Sequence, residues 1–384
     1  MIHPLRGSIA IVGAAESDLG QCAAGVTPVD LMAQATVRAL DDCGLKLTDI
    51  DGVFTATTQL SFGALSLCEY LRISPSYVDG TNIGGSSFLS HLGHAMAAIN
   101  AGLCKVALIA YGSNQRSVGR SKAAPQELTP YDAPYHPRFP LNAYALAASR
   151  HMHEFGTTRE NLAEVAVAAR QWAQMNPKAW DREELTIQQV LDSPMVSSPL
   201  TVRDCCLVTD GGGALIVTSA QRARHLRKKP TYVLGHGDAL SHRHIVSMPD
   251  LTVTGAVESG ARAYAMAGLG PSHVDVAQLY DAFTICTILF LEDLGFCKKG
   301  EGGAFVSNGQ IAPGGILPVN TNGGGLSYCH PGMYGLLLLI EAVRQLRGEC
   351  GDRQIKDCNV ALAHGNGAVL SSESTVLLGT ESTL

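Results

Sequence analysis

Two stretches of this 384-residue chain repeat one another, and the repeat restricts the fold more than any other feature of the sequence. Residues 31–57 read LMAQATVRALDDCGLKLTDIDGVFTAT: an amphipathic helix stopped near Gly44, an acidic turn and a strand. Residues 256–283, AVESGARAYAMAGLGPSHVDVAQLYDAF, repeat that order with a Gly-Leu stop. Downstream, 79–114 and 319–367 also correspond. Each opens on Thr-Asn and a glycine cluster (Thr81, Asn82, Gly84, Gly85; Thr321, Asn322, Gly323, Gly324, Gly325), runs on as an apolar helix, and closes on a strand with a Gly/Asn turn. Helix–turn–strand units with short loops and Val/Ile/Leu strands predict an α/β protein, two pseudo-symmetric α/β/α layered halves in tandem. The halves are expected at 1–230 and 231–384.

The helices after the two glycine clusters, LSHLGHAMAAI and MYGLLLLIEAV, are apolar all round, so both are expected inside the molecule. Their N-termini then point at the pseudo-symmetry axis. Unpaired N–H groups there can stabilise a negative oxygen. Residues 115–200 interrupt the first half with a stretch richer in Pro and charge, read as a helical insertion lying over the core; Gly156 stops one helix and a Thr cap with Glu160 starts the next. Residues 203–226 are read as a strand, a tight turn and a second strand returning to the core.

A net charge of -6 and scattered Lys and Arg leave no basic face for nucleic acid or an anionic membrane. No stretch reaches transmembrane length and the N-terminus has no signal-like pattern. Eleven cysteines, mostly in apolar runs and without a C-x-x-C pair, read as reduced thiols rather than a zinc site, and a cytoplasmic location is expected. His151 and His153, and His242 and His244, have a spacing that suits a strand face, but no third ligand accompanies them, so no metal is expected.

The segments SIAIVGAAES, AINAGLCKVALIAYGS, TDGGGALIVTS, YDAFTICTILFLEDLGFCKKGEGGAF, NTNGGGLSYCHPGMYG and HGNGAVLSSEST, taken together, resemble the thiolase superfamily over essentially the whole chain. More narrowly, the chain resembles the sterol-carrier-type thiolases and their lipid-transfer-protein relatives. The resemblance implies the thiolase fold, with central buried helices and a helical loop insertion. Thiolases carry a nucleophilic Cys at the head of the first central helix, a His in a G-H-P turn, an Asn in an N-E-A-F turn and a second Cys in a C-terminal glycine loop. By that resemblance the nucleophile position falls on Gly85, beside Ser86 and Ser87. The G-H-P histidine is His330, the N-E-A-F asparagine is replaced by Tyr280, and the second Cys position falls on or near His364.

A glycine cannot form an acyl-enzyme, and a serine there would need an adjacent base. Enolate chemistry needs no nucleophile, only preorganised donors at the thioester oxygen. The expected reaction is retro-aldol cleavage of a β-hydroxyacyl-CoA, with a steroid side chain as one bulky substrate. Catalytic candidates are His330, Tyr280, His364 and Tyr334; oxyanion or substrate-binding candidates are Gly85, Ser86, Gly325 and Asn366. Coenzyme A enters as part of the substrate and no resident cofactor is expected. The rival readings are a thiolase or acyltransferase with a non-standard nucleophile, for which Cys329 is one candidate, and a non-catalytic acyl-CoA or lipid-binding subunit. The resemblance further implies a homodimer formed through the strand beside the first central helix, and a small zinc-ribbon/OB-fold partner protein.

Overall fold

The computed structural model describes residues 3–119 and 130–384, so 120–129 of the insertion lie outside the described residues. The strands are β1 (Ile9–Glu16), β2 (Gly52–Thr55), β3 (Tyr77–Asp79), β4 (Val106–Ser113), β5 (Met195–Ser197), β6 (Leu200–Thr201), β7 (Gly211–Ser219), β8 (Thr231–Leu240), β9 (Val276–Leu279), β10 (Val360–Gly367) and β11 (Ser372–Gly379). Helices of eight or more residues are α1 (Pro28–Cys43), α2 (Gly63–Leu71), α3 (Ser87–Asn100), α4 (Leu141–Phe155), α5 (Arg159–Gln174), α6 (Ala256–Ala267), α7 (Thr284–Asp293) and α8 (Gly335–Arg347).

Nine strands form one sheet in the order β3-β2-β4-β7-β1-β8-β11-β10-β9. Outward from the centre, β1, β7, β4 and β2 on one side match β8, β11, β10 and β9 on the other. Each set pairs antiparallel, antiparallel, then parallel. The sequence repeat is therefore a repeat of topology. The two sets join where Ala10 pairs with Tyr232 and Ile11 with Thr231. Buried Val, Ile, Leu and Ala fill both faces of most strands, as helix-covered sheets require.

Local chemistry sets the helix ends. Thr27 caps α1 in a capping box with Asp30, Pro28 opens the helix, and Gly44 closes it at φ 77°. Gly156 ends α4 at φ 72°, and Thr158, boxed with Asn161, starts α5. The central helices lie inside: ten of the fourteen residues of α3 and twelve of the thirteen of α8 are buried. Their heads meet so closely that a Cβ on Gly335 would lie 2.1 Å from the Gly85 carbonyl oxygen.

One expectation fails here. Residues 202–210 do not form a second sheet strand, and the sheet strand begins at Gly211. After a short 3-10 turn at Val202–Asp204, the segment spends its amides on other loops: Cys206 N–H donates to Ala282 O (2.9 Å), Leu207 N–H to Gly325 O (2.9 Å) and Thr209 N–H to His330 O (3.3 Å). His151 and His153 stand on α4 rather than on a strand, so two-residue spacing sends them in different directions.

Candidate active site

Tyr280 follows the last residue of β9, and its N–H makes one more ladder bond, to His364 O at 3.0 Å. Side chains alternate across the sheet, so Tyr280 projects toward the head of α3. Its ring lies against Gly85: a Cβ there would sit 2.2 Å from Tyr280 Cε2 and 2.6 Å from the phenolic oxygen. Only glycine admits the ring in this position.

Three groups surround the phenolic oxygen. Tyr334 N–H donates to it at 3.0 Å, His330 Nε2 lies 3.2 Å away, and Gly332 O is within reach of its own hydrogen at 3.3 Å. Tyr334 is the N-cap of α8, so its amide is one of those left unpaired at a helix head, where the helix dipole favours negative charge. Burial pushes the Tyr280 phenol well above its ordinary pKa, and the Tyr334 N–H bond pulls it back.

His330 is held by its backbone. Its N–H donates to Thr209 Oγ1 (2.9 Å), and its carbonyl accepts from Thr209 N–H and from Gln115 Nε2 (2.8 Å). The ring stands edge-on to Tyr280 and nearly parallel to the Tyr334 ring. The Tyr334 hydroxyl donates to Asn322 Oδ1 at 2.9 Å, which also accepts from Gly324 N–H at 2.8 Å. Tyr334 thus reaches the centre through its amide and ring while its hydroxyl is bonded elsewhere.

Four other candidates are placed differently from the expectation. His364 pairs with Leu279 in parallel register, so its side chain lies on the opposite sheet face from Tyr280. There it is buried against Phe290, with Nδ1 at Thr375 Oγ1 (2.9 Å) and Nε2 3.1 Å from Glu373 Oε2, off the angle of a hydrogen bond. Burial pushes its pKa down to about 3. Gly325 is no free oxyanion donor, because its N–H is bonded to Asp281 Oδ1 at 2.6 Å. The Ser86 hydroxyl is bonded to Ser372 Oγ (2.8 Å) and Ile83 O, away from any base. The Asn366 amide donates to Tyr144 OH (2.7 Å) and its oxygen accepts from Leu370 N–H, fastening α4 of the insertion to the C-terminal loop. Cys329 beside His330 is fully buried, accepts from Thr209 Oγ1, and has its thiol pushed up to about 12 by burial.

Sequence reasoning missed Thr209, Gln115, Asn322 and Asp281, all of which fasten the site loops. Only Asp281, beside Tyr280 in the motif, and Asn322, in the glycine cluster, carried a signal. A cleft of about 410 Å³ is lined by Arg170, Leu185, Cys206, Leu207, Leu326 and Ser327 among others. Its lining includes Cys206 and Leu207, which are bonded to Ala282 and Gly325, while Tyr280 and His330 are not part of it.

Paired helix heads at the junction of two topologically equivalent half-sheets, with a His and a Tyr between them, define a thiolase-like scaffold. Residues 237–380 match the family described as "Thiolase C-terminal domain-like". The chain is 32% identical to a steroid side-chain-cleaving aldolase of Thermomonospora curvata, over 96% of this chain and 97% of that protein. It is also 32% identical to an acetyl-CoA acetyltransferase of Methanothermobacter thermautotrophicus, over 94% of this chain and 96% of the other. The solved structure of an Ltp2-ChsH2(DUF35) aldolase superposes with a TM-score of 0.89 at 29% identity, covering 98% of this chain and 99% of that one. The chain belongs to the thiolase superfamily, in its sterol-carrier-type branch.

Proposed function

We propose that this chain is an acyl-CoA carbon–carbon lyase that cleaves β-hydroxyacyl-CoA thioesters by retro-aldol reaction, a steroid side chain being the bulky substrate that the aldolase relatives favour. The observation that carries the reading is Tyr280: a phenol cradled by a helix-head N–H and a histidine, in the room where an acyltransferase of this fold needs its nucleophile. Tyr280 takes the proton of the β-hydroxyl as its own phenolic proton passes to His330 Nε2, the carbon–oxygen bond becomes a carbonyl, and the Cα–Cβ bond breaks. Its electron pair passes to the thioester as an enolate, whose oxygen is stabilised by His330. Return of the proton to Cα gives a shortened acyl-CoA beside a free ketone or aldehyde. The thioester arm of coenzyme A lies in the cleft beside Cys206 and Leu326, and no resident cofactor takes part.

Cleavage of β-hydroxyacyl-CoA by the purified chain, followed by chromatography of the acyl-CoA products, tests this. Tyr280→Phe is expected to lower kcat at least ~100-fold, the range of a lost acid–base group. An acyl-cysteine trapped by mass spectrometry would establish the acyltransferase reading instead. Acyl-CoA binding with no cleavage under any condition would establish the silent-subunit reading.

Two partners complete the proposal. A second copy pairs along β3, the sheet edge, where Val78 and the α2 residues Leu65 and Tyr70 are exposed. A small partner protein of the DUF35 kind, present in the aldolase structure of similar fold, is supplied alongside the chain in the assay. The buried setting of Cys43, Cys68, Cys104, Cys286, Cys329, Cys350 and Cys358 suits thiols kept reduced in a cytoplasm.

A further inference from the structure

The carboxyl group next to the proposed base has no place in the chemistry above, although it is fully buried. Asp281 turns away from Tyr280 into the single π-helical turn Gly324–Tyr328. Its Oδ1 accepts from Gly325 N–H at 2.6 Å and its Oδ2 from Leu326 N–H at 3.3 Å. The glycines are cut to fit it. Gly324 has φ +65°, and a Cβ there would lie 2.0 Å from Asp281 Oδ2; a Cβ on Gly325 would lie 3.1 Å from both Asp281 Oδ1 and His330 Cδ2. The carboxylate, the Gly325 peptide and the His330 ring are therefore layered in contact. No lysine or arginine pairs with Asp281 among the described residues.

We infer that Asp281 is a positioning residue for the Tyr280–His330 pair, holding the turn that leads into His330, at a cost in stability. This rests on the proposed reaction for its role but not for its geometry. The titratable groups that face the carboxylate are Tyr280 at the end of β9, Tyr334 at the head of α8, Cys286 in α7 and His330 behind Gly325. Its negative charge opposes ionisation of both tyrosines and of Cys286.

The cost follows from burial, which raises the Asp281 pKa from 3.8 to about 7. A raised carboxyl pKa means that the folded protein holds a proton that the unfolded chain releases, so the stabilisation is complete below 3.8 and is lost as pH rises through about 7. Above that pH, a group serving only the fold would be better replaced by a neutral one.

Asp281→Asn and Asp281→Glu test the assignment. For Asp281→Asn, kcat toward a β-hydroxyacyl-CoA is expected to fall at least ~10-fold with KM changed no more than ~2-fold, the pattern of a contribution made in the transition state. The absorbance titration of the most alkaline tyrosines should move to lower pH. The Tm at pH 8 should stay at or above that of the wild type. Asp281→Glu, which keeps the charge, should leave the tyrosine titration in place. An unchanged kcat, an unmoved titration, or a Tm at pH 8 that drops with activity would each overturn the inference. Wild-type protein that cleaves no β-hydroxyacyl-CoA would instead sink the reaction, while the tyrosine titration and the Tm still judge Asp281.

Discussion

At position 85 the presence of a single hydrogen decides what the centre can do. A methyl group there would overlap the Tyr280 ring, so Gly85→Ala must push the phenol off the Tyr334 amide. We expect the variant to fold, with only the ring displaced, and to lose at least ~100-fold in kcat/KM, read from substrate-depletion kinetics. Cys329→Ser gives the opposite expectation: the thiol is buried and its proton is held tightly, so turnover should stay within ~2-fold in the same assay. Gly85, Tyr280 and His330 could be named in the sequence because they fill motif positions of the thiolase resemblance, and the repeat marks the two helix heads beside them. Thr209 and Gln115 could not, since what matters in them is a bond to the His330 backbone across more than a hundred residues.

Among the elements, strand parity explains why His364 was misread. The motif position was found, but a parallel register pairing it with Leu279 sends the side chain to the far face, and one residue of slip decides which face a chain presents. The 202–210 segment was misread for a related reason. Its apolar run over 205–208 reads as a strand, while its partners are the site loops. A second set of elements meets at Glu16 of β1, which pairs with Arg344 of α8, with Lys178 of the insertion at 3.2 Å, and with Tyr328 OH at 2.7 Å. Although burial opposes it, the two cations and the hydroxyl hold the Glu16 carboxyl far below the usual carboxylate range. Its stabilisation is therefore present above the unfolded pKa near 4.5 and is lost as pH falls through the depressed folded value. Glu16→Gln leaves Arg344 without its buried counter-charge and should cost about 3 kcal/mol in urea unfolding at pH 7, with the gap to wild type closing under strong acid.

On the scale of the whole molecule, the pseudo-twofold arrangement was legible because repeated helix–turn–strand order survives even where residues diverge. The fusion of the two half-sheets into one was not, because it depends on just two residue pairs, Ala10 with Tyr232 and Ile11 with Thr231. Arg347 reinforces that junction. It reaches from α8 to Asp42 at 2.8 Å and to the carbonyls of Val12 and Lys229. With sheet, central helices and ion pairs all shared, calorimetry should record one unfolding transition; two resolved peaks would show that the halves melt separately.

The Tyr280 ring, carried by one half, rests on bare backbone supplied by the other. Any tilt between the halves must therefore change the space around that phenol. The molecule carries an internal gauge of its own alignment, one that ultraviolet spectroscopy can read without an added label.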